Sequence, residues 1–383
     1  MPTRDNRIAG VDVLRGLSVL LVLWHHINLR FSLNGYPVDH VLPRPVERVL
    51  FSSGYYAVII FFVISGFLIT RLSIARWGSL PCLAILPFYR LRASRILPCL
   101  LLLLVVISTL HLAGAPEFLI NPEHASLSRA LLAALTFHVN WLEGHHGYLP
   151  GCWDILWSLS NEETFYLLFP LICLLLRSER RLVLLLLALV VIGPVNRTLI
   201  GEQNDPWNEY AYLSCMDAIA FGCLAALACA RLHLSNRAQH TALIAGAVLA
   251  VFIVVTRRLS AQSGLYHLGL DVSALEAGVA LMLLAFGNGL GNQAASLGTG
   301  WLRAIGQTSY EVYLFHMLVV LSLIDLFKRT HAPSRLIPVT YLAMLLLSLA
   351  LGYAIFRLYS EPLNRALRGR RAPRLVELDQ PTV

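Results

Sequence analysis

Lysine is almost missing from this chain: of 30 basic residues only Lys328 is a lysine, and the rest are arginine. Charge of either sign is scarce, 14% of 383 residues against about 25% in a soluble domain. With 57% hydrophobic residues and a mean hydropathy of +0.66, the composition is that of an integral membrane protein. No CxxC spacing occurs among the seven cysteines (Cys82, Cys99, Cys152, Cys173, Cys215, Cys223, Cys229). They sit in or beside apolar runs, which excludes a disulfide framework and a thiolate metal site. His138, His145 and His146 crowd around Asn140, Trp141 and Glu143 but lack ligand spacing with a supporting frame, so no metal is expected. No soluble module presents the arginines to nucleic acid, and no internal repeat of the transporter kind is visible.

What is present is a series of apolar runs long enough to span a bilayer, about 17–25 residues each. They predict about ten membrane helices near 9–31, 55–72, 95–113, 156–176, 181–200, 211–231, 241–257, 272–289, 302–325 and 336–358. The fold class is therefore all-α and polytopic. Segment 127–141 is too short to cross and reads as an interfacial or re-entrant helix in the longest loop, 114–155. Basic residues favour the N-terminal side of the first span roughly two to one, which predicts both termini in the cytoplasm. The chain's net charge of +8 suits anionic lipid headgroups.

The first span, IAGVDVLRGLSVLLVLWHHINLRF, carries Asp12, Arg15, His25 and His26. It has no small-residue cleavage site and is not a signal peptide. An ionisable group inside a bilayer costs about 2.5–3.5 kcal/mol or more and marks function by default. At about 100° per residue, Arg15 and His26 fall within about 20° of one another, whereas His25 lies about 80° away. Asp12 stands at i,i−3 from Arg15, the spacing of an ion pair. One helix face thus carries a polar track across the membrane.

In the second span Ser65-Gly66 reads either as a helix-packing notch or as a substrate contact. Arg90, Arg92 and Arg95 stand just before the third span, either as topology signals or as a fork for phosphates. On the fourth span Ser158, Glu162 and Tyr166 share a face. Glu162 is expected at the depth of His26, as its carboxylate partner, with Glu163 about 100° around the helix. Asp217 opens the sixth span, Glu276 lies in the eighth, and Tyr310, Glu311, Tyr313 and His316 line the ninth. For these a structural hydrogen bond between helices is as reasonable as a catalytic role. Glu361-Pro362 reads as a helix terminus.

Taken in order, the motifs resemble the membrane-bound acyltransferase family 3, bacterial multi-pass enzymes that O-acylate extracytoplasmic glycans and related acceptors. The resemblance rests on Arg15-x10-His26, on FFVISGFLI at 61–69, and on Arg92-x-x-Arg95 before Ile96-Leu97-Pro98. It rests also on the WSL-x-x-E-x-x-FYL-x-x-P block from Trp157 to Pro170, Asp217-Ala218, Ser309 to His316, and Glu361-Pro362.

The resemblance covers almost all of the chain, and the expected organisation is a membrane domain over 1–365 and a short disordered basic tail over 366–383, without the fused SGNH-type hydrolase domain found in some relatives. It places the protein in the bacterial cytoplasmic membrane. It implies acyl-CoA, most simply acetyl-CoA, as a cytoplasmic co-substrate, with no tightly bound cofactor. The acceptor would be a hydroxyl of a cell-surface polysaccharide, a glycolipid or a small molecule. His26 would be the general base or an acyl carrier, with Glu162 or Asp12 steadying it. Arg92, Arg95, Arg90 and Ser65 would meet the coenzyme, and Arg15 its arm. Composition alone equally accommodates a flippase or solute transporter, or a non-catalytic membrane subunit.

Overall fold

The computed structural model describes residues 7–36, 53–200, 206–261, 268–293 and 298–368. Among them every regular element is a helix: α1 Ala9–Leu33, α2 Gly54–Trp77, α3 Ile85–Leu112, α4 Leu127–Leu135, α5 Val139–His146, α6 Leu156–Leu176, α7 Glu179–Leu199, α8 Tyr212–Arg231, α9 Asn236–Ala261, α10 Leu270–Ala285, α11 Gly300–Gln307, α12 Ser309–Arg329, α13 Ile337–Ile355 and α14 Glu361–Arg368, joined by short helical turns. Ten of these segments are long and apolar enough to cross a membrane, in agreement with the ten predicted.

The boundaries differ where polar residues sit on a helix instead of beside it. The third helix starts at Ile85, so Arg90, Arg92 and Arg95 ride on α3 and are not in the loop before it. The ninth crossing starts at Ser309, because Thr308 breaks the run into α11 and α12. The 127–141 region forms two short helices, α4 and α5. Pro362 falls in the first turn of α14 instead of ending the helical chain, and residues 366–368 of the expected tail belong to that helix. The rest of that tail, and Arg4, Arg44, Arg48, Arg257 and Arg258, lie outside the residues whose side chains are described.

Close approach of helices organises the interior. A Cβ on Gly16 would strike the Leu302 carbonyl and one on Gly306 the Asp12 carbonyl, so α1 and α11 touch backbone to backbone. Gly66 and Gly222 do the same for α2 and α8. In a bilayer, where tails are as apolar as leucine, such small-residue contacts and interhelical hydrogen bonds do the work that hydrophobic burial does in water.

Candidate active site

α1 and α12 run parallel, and their polar residues meet twice. Arg15 Nη2 donates to Ser309 Oγ at 2.8 Å. Further along both helices, His26 Nδ1 and His316 Nε2 lie 3.0 Å apart. Eleven residues of α1 thus match seven of α12. The difference, about 6 Å at 1.5 Å per residue, is bridged by the long Arg15 side chain.

The hydrogen bonds fix which imidazole nitrogen carries hydrogen. His316 Nδ1 lies 2.6 Å from the Tyr313 carbonyl, which only accepts, so Nδ1 holds the hydrogen. In a neutral ring Nε2 is then the acceptor, and His26 Nδ1 must donate to it. His26 Nε2 is left with its lone pair outward, as a base requires. His316 is fully buried, and His26 is partly exposed. The neighbouring His25 turns toward the start of α2, where a Cβ on Gly54 would run into its ring.

Asp12 does not pair with Arg15. Its Oδ2 accepts from Gln307 Nε2 at 3.1 Å, because the Gly16–Gly306 contact brings the end of α11 to its side while Arg15 points to Ser309. Nor does Glu162 meet His26. Among the described residues its hydrogen-bond donors are Ser65 Oγ and the Tyr166 hydroxyl, and its ionic partner is Arg92 at 3.9 Å. Arg92 also stands 4.0 Å from Glu163, and its guanidinium carbon lies 3.5 Å from the centre of the Tyr166 ring. Ser65, Arg92, Glu162, Glu163 and Tyr166 therefore form one cluster from α2, α3 and α6. Depth explains the correction: Glu162 is eleven residues into its crossing, which spans 26, whereas His26 is in the last third of α1.

Arg92 and Arg95 face the interior of the bundle, while Arg90 is exposed on the other side of α3. A fork of all three does not form, because residues two apart on a helix diverge by about 200°. Tyr310 donates to the Ile96 carbonyl of α3 at 3.0 Å. Tyr313 meets Ser158 Oγ at 2.6 Å. These two are interhelical ties that hold α12 in register.

Asp217 belongs elsewhere. It accepts both guanidinium nitrogens of Arg197, at 2.7 and 3.1 Å, in an ion pair whose side chains are 4% and 0% exposed. Arg197, near the end of the fifth span, also bonds the Gly269 and Ser214 carbonyls and Ser273. His316 as the partner of His26, Gln307 as the partner of Asp12, and Arg197 were not identified as such from the sequence. Only the polar stripe on the ninth span hinted at the first.

Beyond the crossings, Glu143 is buried in α5 and accepts the Leu149 N–H at 3.0 Å. Burial pushes its carboxyl well above the usual carboxylate range, and nearby Asp154 adds to the shift. Partial burial and then Arg129 hold His138 below the ordinary imidazole value. His138, His145 and His146 each bond locally, to Thr136, the Trp141 carbonyl and Arg129.

A family model described as an acyltransferase domain matches residues 8–357. The chain is 23% identical over 379 residues to O-acetyltransferase OatA of Staphylococcus aureus (strain NCTC 8325 / PS 47), covering 94% of this chain and 57% of that protein. It is 26% identical over 341 residues to peptidoglycan O-acetyltransferase OatA of Listeria monocytogenes serovar 1/2a, covering 83% and 50%. The chain thus spans about half the length of these curated relatives. No solved structure matches it.

Proposed function

Given that the chain belongs to this acyltransferase family, we propose that it moves an acetyl group from acetyl-CoA to a hydroxyl of a cell-envelope glycan, with His26 as general base. The arginine-rich end, where α1 begins, faces the cytoplasm and receives the donor. The far end, with His26 and the 114–155 loop, faces the acceptor, and the membrane is the bacterial cytoplasmic one. The acetyl group follows the names of both relatives and the glycan class that of the Listeria one.

The observation that carries the reading is the His26–His316 hydrogen bond. With His316 anchored on the Tyr313 carbonyl, His26 Nε2 takes the proton of the acceptor hydroxyl. The alkoxide attacks the thioester carbonyl, the C–S bond breaks, and the thiolate leaves with the proton from the imidazolium. His316 keeps the tautomer and orientation of His26, the task a carboxylate has in serine hydrolases. Arg15, about 16 Å lower along α1 at 1.5 Å per residue, lines the route of the donor arm. Glu162 acts on the donor end by positioning Arg92 through Ser65 and Tyr166.

The test uses full-length protein in lipid nanodiscs with acetyl-CoA and a soluble cell-wall glycan fragment. Free thiol and glycan ester should appear in equal amounts and vanish together in His26→Ala. Thiol release that is untouched by His26→Ala, or glycolipid translocation without ester, overturns the reading.

A further inference from the structure

The helical chain runs on past α13 through a π-helical turn, Phe356–Ser360, into α14, and Ser360 Oγ donates to Glu311 Oε1 at 2.5 Å. Pro362 falls in the first turn of α14, where a missing N–H breaks no helical hydrogen bond. α14 then lies along α3, tied by Ser94 Oγ donating to Asn364 Oδ1 at 3.3 Å. This docking brings Arg368 within charge–charge range of Arg76 on α2 and of Arg92 and Arg95 on α3.

Four guanidiniums from three helices converge there, and the acids nearby do not neutralise them. Glu361 is engaged by Arg365 at 2.8 Å, and Glu162 and Glu163 reach only Arg92, at 3.9 and 4.0 Å. The Nε atoms of Arg76, Arg92 and Arg368 are buried and have no hydrogen-bond partner. Arg95 makes no hydrogen bond or ion pair among the described residues. Arginines that only mark a membrane side point outward to water and lipid phosphate. Here three buried Nε donors are left without a partner where four guanidiniums gather, and an anion is the complement that such a group lacks. A guanidinium offers paired donors that match phosphate oxygens.

We propose that Arg76 and Arg368 complete, with Arg92 and Arg95, a cradle for a ligand bearing two or more phosphate groups, and that α14 is the element that closes it. This rests on the reading of the arginine-rich end as the donor site. A coenzyme A thioester meets the requirement with its diphosphate and its ribose phosphate, whereas the phosphate-free pantetheine portion does not.

Binding to the full-length protein in neutral-lipid nanodiscs tests it, by calorimetry with coenzyme A, pantetheine and inorganic pyrophosphate. Arg368→Ala and Arg76→Ala should each weaken coenzyme A binding roughly tenfold, the loss expected for one charge-assisted contact. Arg368→Lys should recover part of that affinity. Arg181→Ala, exposed on α7, should change nothing, and pantetheine should bind no better than a phosphate-free control. Elution position and circular dichroism check that each variant is folded. Unchanged coenzyme A affinity in both alanine variants overturns the cradle and leaves the donor reading standing. Pyrophosphate binding that depends on Arg76 and Arg368, with no coenzyme A binding, supports the cradle and overturns the donor. Affinity confined to phosphatidylglycerol vesicles overturns the cradle, because it assigns the arginines to lipid.

Discussion

His26 Nδ1 and His316 Nε2 meet at 3.0 Å although 290 residues separate them. Because His316 Nδ1 is committed to a carbonyl, the pair has one consistent neutral arrangement, and it leaves the lone pair of His26 on Nε2. His316→Phe keeps the volume and deletes the acceptor. Transfer should fall about 10²-fold or more, the scale of a general-base contribution, with KM for acetyl-CoA unchanged. His316→Gln, whose amide oxygen accepts, should recover part of the loss. A steady-state comparison of the two variants checks this.

The doubled histidine separates cleanly. His25 packs against Gly54 and points away from the His26–His316 bond, so His25→Ala should retain most transfer activity while His26→Ala loses it. Equal losses in thiol-release assays would assign the chemistry to both rings.

The Arg197–Asp217 pair is a structural element. Removing one partner of a buried pair leaves an uncompensated charge, costing about 3–5 kcal/mol. Asp217→Ala should therefore lower the thermal midpoint strongly, and replacing both residues by apolar ones should restore much of it. Affinity for the donor, measured on the folded fraction, should not move.

Glu143 gives the extramembrane region a pH dependence of defined sign. Its folded carboxyl is held above the usual range by burial, so between that usual value and the raised one the folded state binds a proton that the unfolded state lacks. Stability then falls as pH rises through that window. Glu143→Gln keeps an oxygen for the Leu149 N–H and should flatten the slope, as read by thermal unfolding between about pH 5 and 8.

Gly306 touches the Asp12 backbone. Gly306→Val must push α11 from α1, destabilising the protein by about 1–3 kcal/mol in the manner of overpacking. It should also loosen Gln307 from Asp12. Thermal unfolding with an activity assay on the soluble fraction separates the two effects.

Much of the architecture was legible along the chain. Ten apolar runs give ten crossings, because spanning a bilayer is a condition on one segment at a time: length and composition suffice. The shared face of Arg15 and His26 also follows from helical geometry alone, and so does the Glu162–Tyr166 contact at i,i+4. The motif order pointed to the family that the comparison finds. Polar residues on the early turns misled the boundaries of α3 and α14, since a membrane helix need not stop where its apolar run does.

Partnership is what tertiary structure decided. Helical spacing allowed Asp12 to pair with Arg15, yet helix packing gave Asp12 to Gln307 and Arg15 to Ser309. It gave His26 to His316 and left Glu162 to Ser65, Tyr166 and Arg92. It also carried Arg368 back to the arginines of α2 and α3. The sequence determined which groups would be drawn into an apolar interior, because that depends on each helix's own length, composition and face. Which of them satisfy one another depends on how glycine contacts such as Gly16 with Leu302 and Gly306 with Asp12 set the helices side by side, and only the folded bundle holds that information.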